Sequence, residues 1–184
     1  MKTDRSQNRI MFACLLCFFT FSFLLLLASC RQSAITPQGE VVKVVRVVSG
    51  QTLEAIDTEK QPPLIEQVRL IGIEAPDLRQ RPWGTAAKER LEQMIGEKPV
   101  LLESDREPKD QSDRQLAYVW QDGVLLNEKL VAEGYALFYS RSLNNKYDER
   151  LEQAQEFARV MGLGIWNPEK PMRLTPRDFR EQYR

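Results

Sequence analysis

Residues 68–77 read VRLIGIEAPD, an arginine, a glutamate and an aspartate set along an apolar run that stops at a proline. Val68, Leu70 and Ile73 can feed a core, Arg69 leaves the strand sideways, and Glu74 and Asp77 stand at its far end. Rigid backbone fixes the side chains that leave it, so charge gathered where an apolar strand ends is the pattern of a site. Two further stretches are suited to meet it: VVSGQTLEAI (47–56), hairpin-like, and DRQLAYVW (113–120), which opens with Arg114. The 184-residue chain contains no histidine. That excludes Ser/His/Asp and Cys/His triads, His-ligated zinc and imidazole as a general base. Chemistry here falls to carboxylates, arginines, lysines, or a metal held by oxygen.

The elements that must position these residues follow from periodicity and breakers. Residues 41–48 are β-branched with poor alternation, which suggests a strand partly buried on both faces. Ser49-Gly50 turns the chain, 52–57 returns as a second strand, and 65–73 forms a third that ends at Pro76. From Gly84 the period changes: Ala87, Leu91, Met94 and Ile95 share a helical face, with Gly96 as the stop. Residues 99–103 and 114–121 read as the fourth and fifth strands. The polar stretch 104–112 between them reads as mobile. A helix over 124–133 ends at Gly134, and an amphipathic helix over 146–161 places Tyr147, Leu151, Ala154, Phe157, Ala158 and Met161 on one side. Trp166, after Gly162 and Gly164, reads as core. Residues 168–184 form a basic, proline-punctuated tail without core periodicity. Five short strands with a helix between the third and fourth predict an α+β, mainly β fold. Its centre would be a five-stranded OB-fold barrel with about three helices.

The N-terminal segment stands apart. Lys2, Arg5 and Arg9 precede the apolar run 10–28, which closes on Leu27-Ala28-Ser29-Cys30. This is a secretory signal pattern, and LASC resembles the lipobox of bacterial lipoproteins, in which the cysteine becomes the lipidated N-terminus. The expectation is a lipoprotein signal peptide over 1–29, a tether over 30–40, a folded domain over 41–167 and the tail over 168–184. An uncleaved anchor is the alternative, since the run is long enough to span a bilayer. Either places the domain outside the cytoplasm at a bacterial membrane surface. Cys14 and Cys17 would leave with the signal, so Cys30 would have no intramolecular disulfide partner. Cleavage would also remove three of the 26 basic and one of the 26 acidic residues, leaving a slightly acidic chain. Any polyanion would therefore be held by a local basic patch rather than by net charge.

The order VVSGQT, VRLIGIEAPD, WGTAAKERL, DRQLAYVWQDGVLLNEKLVAEGYA and LEQAQEFARVMGLGIW resembles the thermonuclease family, the staphylococcal-nuclease-like domains, over about residues 41–166. That resemblance implies an OB-fold barrel that cleaves DNA and RNA at phosphodiester bonds with calcium. It implies that Arg69 and Arg114 are the catalytic arginines and that Asp77 stands at the position of the catalytic carboxylate. It implies metal ligation by Glu74, by the backbone carbonyl of Ala75 and, at the remaining ligand position, by Gln51. Attack on a phosphodiester builds charge on the phosphate oxygens, which paired guanidiniums stabilise, while a carboxylate orients or deprotonates water. This chain departs from the family pattern where D-G-D-T reads S-G-Q-T, where Glu74 is one methylene longer and Asp77 one shorter, and where Asp113 precedes Arg114 in place of glycine. Several residues carry two readings. Glu74 is a ligand or a surface acid, Gln51 a ligand or a structural turn residue, and Tyr139 a base-stacking or a packing aromatic. Lys88, with Arg79, Arg81 and Arg90, forms a nucleic-acid-binding face or a solvated helix surface. Two functions fit: a membrane-anchored extracytoplasmic nuclease, or a catalytically inactive OB-fold lipoprotein that binds nucleic acid or protein. The expected partners are DNA or RNA and the membrane, with the protein itself a monomer.

Overall fold

The β-branched run that begins the domain becomes a ten-residue strand, β1 (Glu40–Ser49), that serves two neighbours. Its first residues pair antiparallel with β5 (Val100–Glu103), and its later ones with β2 (Thr52–Ile56). Register shifts between Val44 and Arg46 and between Val47 and Ser49 let one strand bend between both partners. They also explain the poor alternation in sequence. Val42 and Val47 are both buried although an odd number of steps separates them, and Val41 and Val45 are exposed. The strand therefore buries one face, re-aimed by bulges, rather than parts of two.

The remaining strands close the sheet. β2 pairs antiparallel with β3 (Ile65–Leu70), and β5 with β6 (Gln115–Gln121). A parallel pairing of β3 with β6 joins the two edges into a five-stranded barrel, as the sequence predicts. Val42, Leu53, Val68, Leu70, Leu102 and Val119 fill it. Each such aliphatic side chain contributes about 1.5–3 kcal/mol on full burial. The coordinates form a computed structural model that describes residues 36–57, 61–140 and 143–183. Residues from Pro37 onward make one compact unit. The signal segment 1–29, Cys30 and most of the tether lie outside the described residues.

The third strand is shorter than its apolar pattern suggests. It stops at Leu70, Gly72 turns with φ +72°, and Ile73–Glu74 (β4) pairs instead with Leu137–Phe138 (β8). Buried Asn127 holds this break against the barrel: its Oδ1 accepts from Val119 N (2.9 Å) and its Nδ2 donates to Ile71 O (2.8 Å). Asn127 lies on α2 (Leu126–Ala132), which follows the two-residue strand β7 (Val124–Leu125).

Helix α1 (Trp83–Ile95) buries Gly84, Ala87, Leu91 and Ile95 at three- and four-residue spacing. Helix α3 (Asp148–Val160) buries Leu151, Ala154 and Ala158. Phe157 and Met161, expected on its inner side, are exposed, because an alanine-lined stripe is what packs closely there. Likewise Ile165, in the short 3₁₀ turn Gly164–Trp166, takes the core place read for Trp166. Trp166 is half-buried beneath the Arg159 guanidinium. The loop 104–112 is tied down rather than loose: Glu107 N donates to Asn144 Oδ1 (2.7 Å), and Asn144 Nδ2 to Glu107 O (2.8 Å).

The tail holds a fourth helix among the described residues, α4 (Pro176–Gln182). Thr175 caps it, accepting from Asp178 N, and Pro176 fills the first helical position. Thr175-Pro176-Arg177-Asp178 spells a helix start in the sequence, but α4 buries only Pro176 and so shows no apolar period beside that signal.

Candidate active site

The two arginines meet because β3 and β6 run parallel. The register is staggered: the last three residues of β3 pair with the first three of β6, Arg69 opposite Leu116. Arg69, near the C-terminal end of β3, therefore lies close to Arg114, which immediately precedes β6. The Arg69 guanidinium is half-buried and fixed by two carbonyls, donating Nη1 to Leu70 O and Nη2 to Ile73 O, each at 2.6 Å. Burial, followed by the repulsion of Arg114, pushes its pKa down to about 10. It remains a cation at neutral pH. Arg114 is oriented differently, by Asp110, with Nε and Nη2 at 2.7 and 2.6 Å from Oδ2. Asp113, one residue earlier, has φ +60°, the left-handed conformation in which glycine has no penalty.

The opposite wall comes from the β1–β2 turn and from the loop after β4. Gly50 is required in that turn, since a Cβ there would stand 2.6 Å from Ala87 Cβ and 2.9 Å from Ala75 Cβ. The close approach lets Gln51 reach across: its carbonyl accepts from Leu70 N (2.9 Å) and its Oε1 from Ala75 N (2.6 Å). Gln51 thus clamps the loop that carries Glu74, Ala75 and Asp77. Both oxygens of Asp77 accept from Arg79, Oδ1 from Nε (2.9 Å) and Oδ2 from Nη2 (3.1 Å). Those bonds hold its carboxyl below the usual range.

Gln51, Thr52, Arg69, Asp77 and Arg114 line one open cleft of about 510 Å³, which Ala75 also borders. Tyr139 lines an adjoining cavity of about 400 Å³ on the other side of Arg69, with Lys109 and Asp110. Lys88 borders neither of these. It lies 3.7 Å from Glu92 on the surface of α1, and Arg90 is engaged by Glu133 at 2.6 Å. The cleft also holds a residue of the C-terminal tail. Arg180 of α4 lines it and donates Nη2 to Glu74 Oε1. Nothing in the apolar pattern points to this residue, because its place depends on where the tail docks.

As arranged, these donors do not fit a hard divalent cation. Such ions take several oxygen ligands, and affinity rises with anionic charge. Here Glu74 is neutralised by Arg180, the Gln51 amide oxygen is engaged by an N–H, and both Asp77 oxygens face Arg79. Among the described residues no three acids or cysteines gather as a metal cluster. Gln51→Asp is therefore informative. The shorter side chain should lose the Ala75 bond and lower the melting temperature, while the restored carboxylate should make calcium stabilise the variant more than the wild type. Melts with and without calcium check this, and an equal response of both proteins would show that no ion seat can be restored there.

Comparison with known proteins identifies the family. The family model described as staphylococcal nuclease homologue matches residues 67–168. A thermonuclease of Staphylococcus intermedius is 38% identical over 141 residues, which cover 74% of this chain and 82% of that protein. A thermonuclease of Staphylococcus hyicus is 35% identical over 70% of this chain and 76% of its own. An uncharacterized endonuclease of Haemophilus influenzae is 31% identical over 82% and 78%. A barrel closed by parallel β3 and β6, two arginines at that seam and relatives of this extent place the chain in the staphylococcal nuclease homologue family.

Proposed function

We propose that this protein is a nuclease that hydrolyses phosphodiester bonds of DNA or RNA at the cleft between the β3–β6 seam and the β1–β2 turn. The carrying observation is the convergence of Arg69 and Arg114, with Asp77 on the same cleft. A phosphodiester seated there meets guanidiniums held from behind, Arg69 by carbonyls and Arg114 by Asp110. Their remaining N–H groups are pre-oriented toward the charge that grows on the phosphate oxygens. Attack by water forms one P–O bond and breaks another. The ionised Asp77, whose oxygens keep lone pairs beside their Arg79 bonds, accepts a hydrogen bond from the attacking water. The water's proton leaves through it or to solvent, and the departing oxygen takes a proton from solvent.

A calcium requirement follows from the family resemblance, whereas the donor set of this chain speaks against a tight ion. Cleavage of plasmid and of single-stranded RNA by residues 31–184, compared in calcium, manganese, magnesium and chelator, tests both. Cleavage in no condition, with retained binding of single strands, would favour the inactive nucleic-acid-binding reading. The neutral Gln51 and the Glu74–Arg180 pair are the observations on that side.

The anchor belongs to the same proposal: acylation of Cys30 would hold the enzyme at the outer side of a bacterial membrane. Stable attachment needs two or more acyl chains, which a diacylated cysteine supplies. Cys30→Ser should release or mislocalise the protein. An intact mass from the membrane fraction showing unprocessed Met1 and no lipid would end this part of the reading.

A further inference from the structure

Helix α4 is held in place by contacts that do not involve the guanidinium of Arg180. Gln80 Nε2 donates to Leu174 O (3.0 Å) and Arg79 Nη1 to Tyr183 O (3.0 Å). The Arg79 guanidinium lies 5.5 Å from the centre of the Phe179 ring, and Met172 N donates to Ile165 O (2.9 Å) upstream. Docked this way, the helix directs Arg180 into the cleft that Arg69 and Arg114 already line. Its side chain remains 37% exposed, whereas its partner Glu74 is only 8% exposed.

The two sides of the cleft then use one device. Asp110 orients Arg114 from behind on one side, and Glu74 orients Arg180 from behind on the other. Arg69 stands between them, bonded to carbonyls and to no carboxylate among the described residues. Charge can be counted group by group: Arg79 against Asp77, Arg114 against Asp110, Arg180 against Glu74, with Arg69 left over. The cleft is positive before any ion arrives. The charge of Arg180 also adds to that of Arg114 in lowering the Arg69 pKa, as expected if the three lie close together.

We propose that Arg180 is a third phosphate-binding guanidinium of this cleft, a resident cation that lets it hold a nucleic-acid phosphate without a divalent ion. Glu74 then serves as the orienting partner of Arg180. Guanidinium is suited to this exchange: it presents several donors in a plane, pairs with phosphate oxygens as readily as with a carboxylate, and never loses its proton near neutral pH. This inference rests on the nucleic-acid substrate argued above, although not on cleavage.

The test is binding of a fluorescein-labelled single-stranded oligothymidylate, read by anisotropy in excess chelator over a salt series, with full-length protein in detergent. Arg180→Ala should weaken binding about tenfold and lower the slope of log K against log salt by about 0.7, the loss of one phosphate contact on a single strand. Arg180→Lys should keep the slope and part of the affinity. Arg177→Ala, on the same helix but paired with Glu181 at 2.9 Å, should change binding less than twofold. Glu74→Gln leaves Arg180 charged and unneutralised and should tighten binding, which keeps the idea testable if Arg180→Ala fails to fold. Wild-type-like or tighter binding by folded Arg180→Ala, weaker or unchanged binding by Glu74→Gln, or no wild-type binding in chelator would each overturn the proposal. Tighter binding by Arg180→Ala would identify the arginine as a plug. Binding without cleavage in any metal would remove the nuclease reading and leave this one standing. Cleavage by wild type with unaltered binding by Arg180→Ala would do the reverse.

Discussion

Arg69→Ala and Arg114→Ala should each lower the rate of DNA or RNA cleavage by about two to three orders of magnitude, the usual cost of deleting one positioned transition-state donor. Neither change should unfold the protein. Arg69 lines both the cleft and the adjoining cavity, and truncating it frees the carbonyls of Leu70 and Ile73, residues that line that adjoining cavity. Arg114→Ala leaves Asp110 with its backbone donors, Ser112 N at 2.8 Å and Arg114 N at 3.1 Å, so the loop keeps its shape. Arg→Lys at either position should recover little, because Arg69 spans two carbonyls and Arg114 meets Asp110 through two nitrogens, and an ammonium reproduces neither fork. Steady-state kinetics with circular dichroism on the same samples separates chemistry from folding. Equal cleavage by wild type and the double variant would mean that the reaction occurs elsewhere or belongs to a contaminant.

The second large effect is on stability. Asn127→Ala should cost about 2–5 kcal/mol, because it leaves two buried backbone groups, Val119 N–H and Ile71 C=O, without partners. For a domain of this size that corresponds to a melting temperature lower by roughly 5–15 °C. Asn127→Asp should be at least as damaging, since it keeps the acceptor for Val119, loses the donor to Ile71 and buries a charge. The residue also bears on the site. Ile71 begins the turn at Gly72 that separates β3 from β4, and the Ile73 carbonyl just beyond it receives Arg69. A variant that folds but holds this turn loosely should therefore lose activity beyond its loss of stability. Denaturant melts checked against cleavage at low temperature would show this. An unchanged melting temperature would mean that the buried bonds are replaced by water.

Periodicity and breakers in the sequence determined the barrel, the order of its strands, helices α1 to α3 and the two arginines at strand ends. These are local signals: apolar spacing selects strand or helix, and glycine or proline marks where each must stop. The closing β3–β6 pair, by contrast, joins residues far apart in the chain, and no local pattern announces a parallel register. The bulges in β1 likewise depend on which neighbours the strand must serve, so their only trace was an alternation that looked irregular. At Gln51 the sequence showed a neutral residue in place of an acid. Only packing decided that its oxygen would be taken by Ala75 N–H, because the turn is drawn close by Gly50 against Ala75 and Ala87. Arg180 is the clearest case. Its residue type was visible, and so was the Thr175-Pro176 start of its helix. Its position beside Glu74, 106 residues away in sequence, follows from how the tail docks on Arg79 and Gln80. Helix α4 buries only Pro176, too little apolar surface to encode that docking in its own pattern, so the surface it lands on decides where its charge goes.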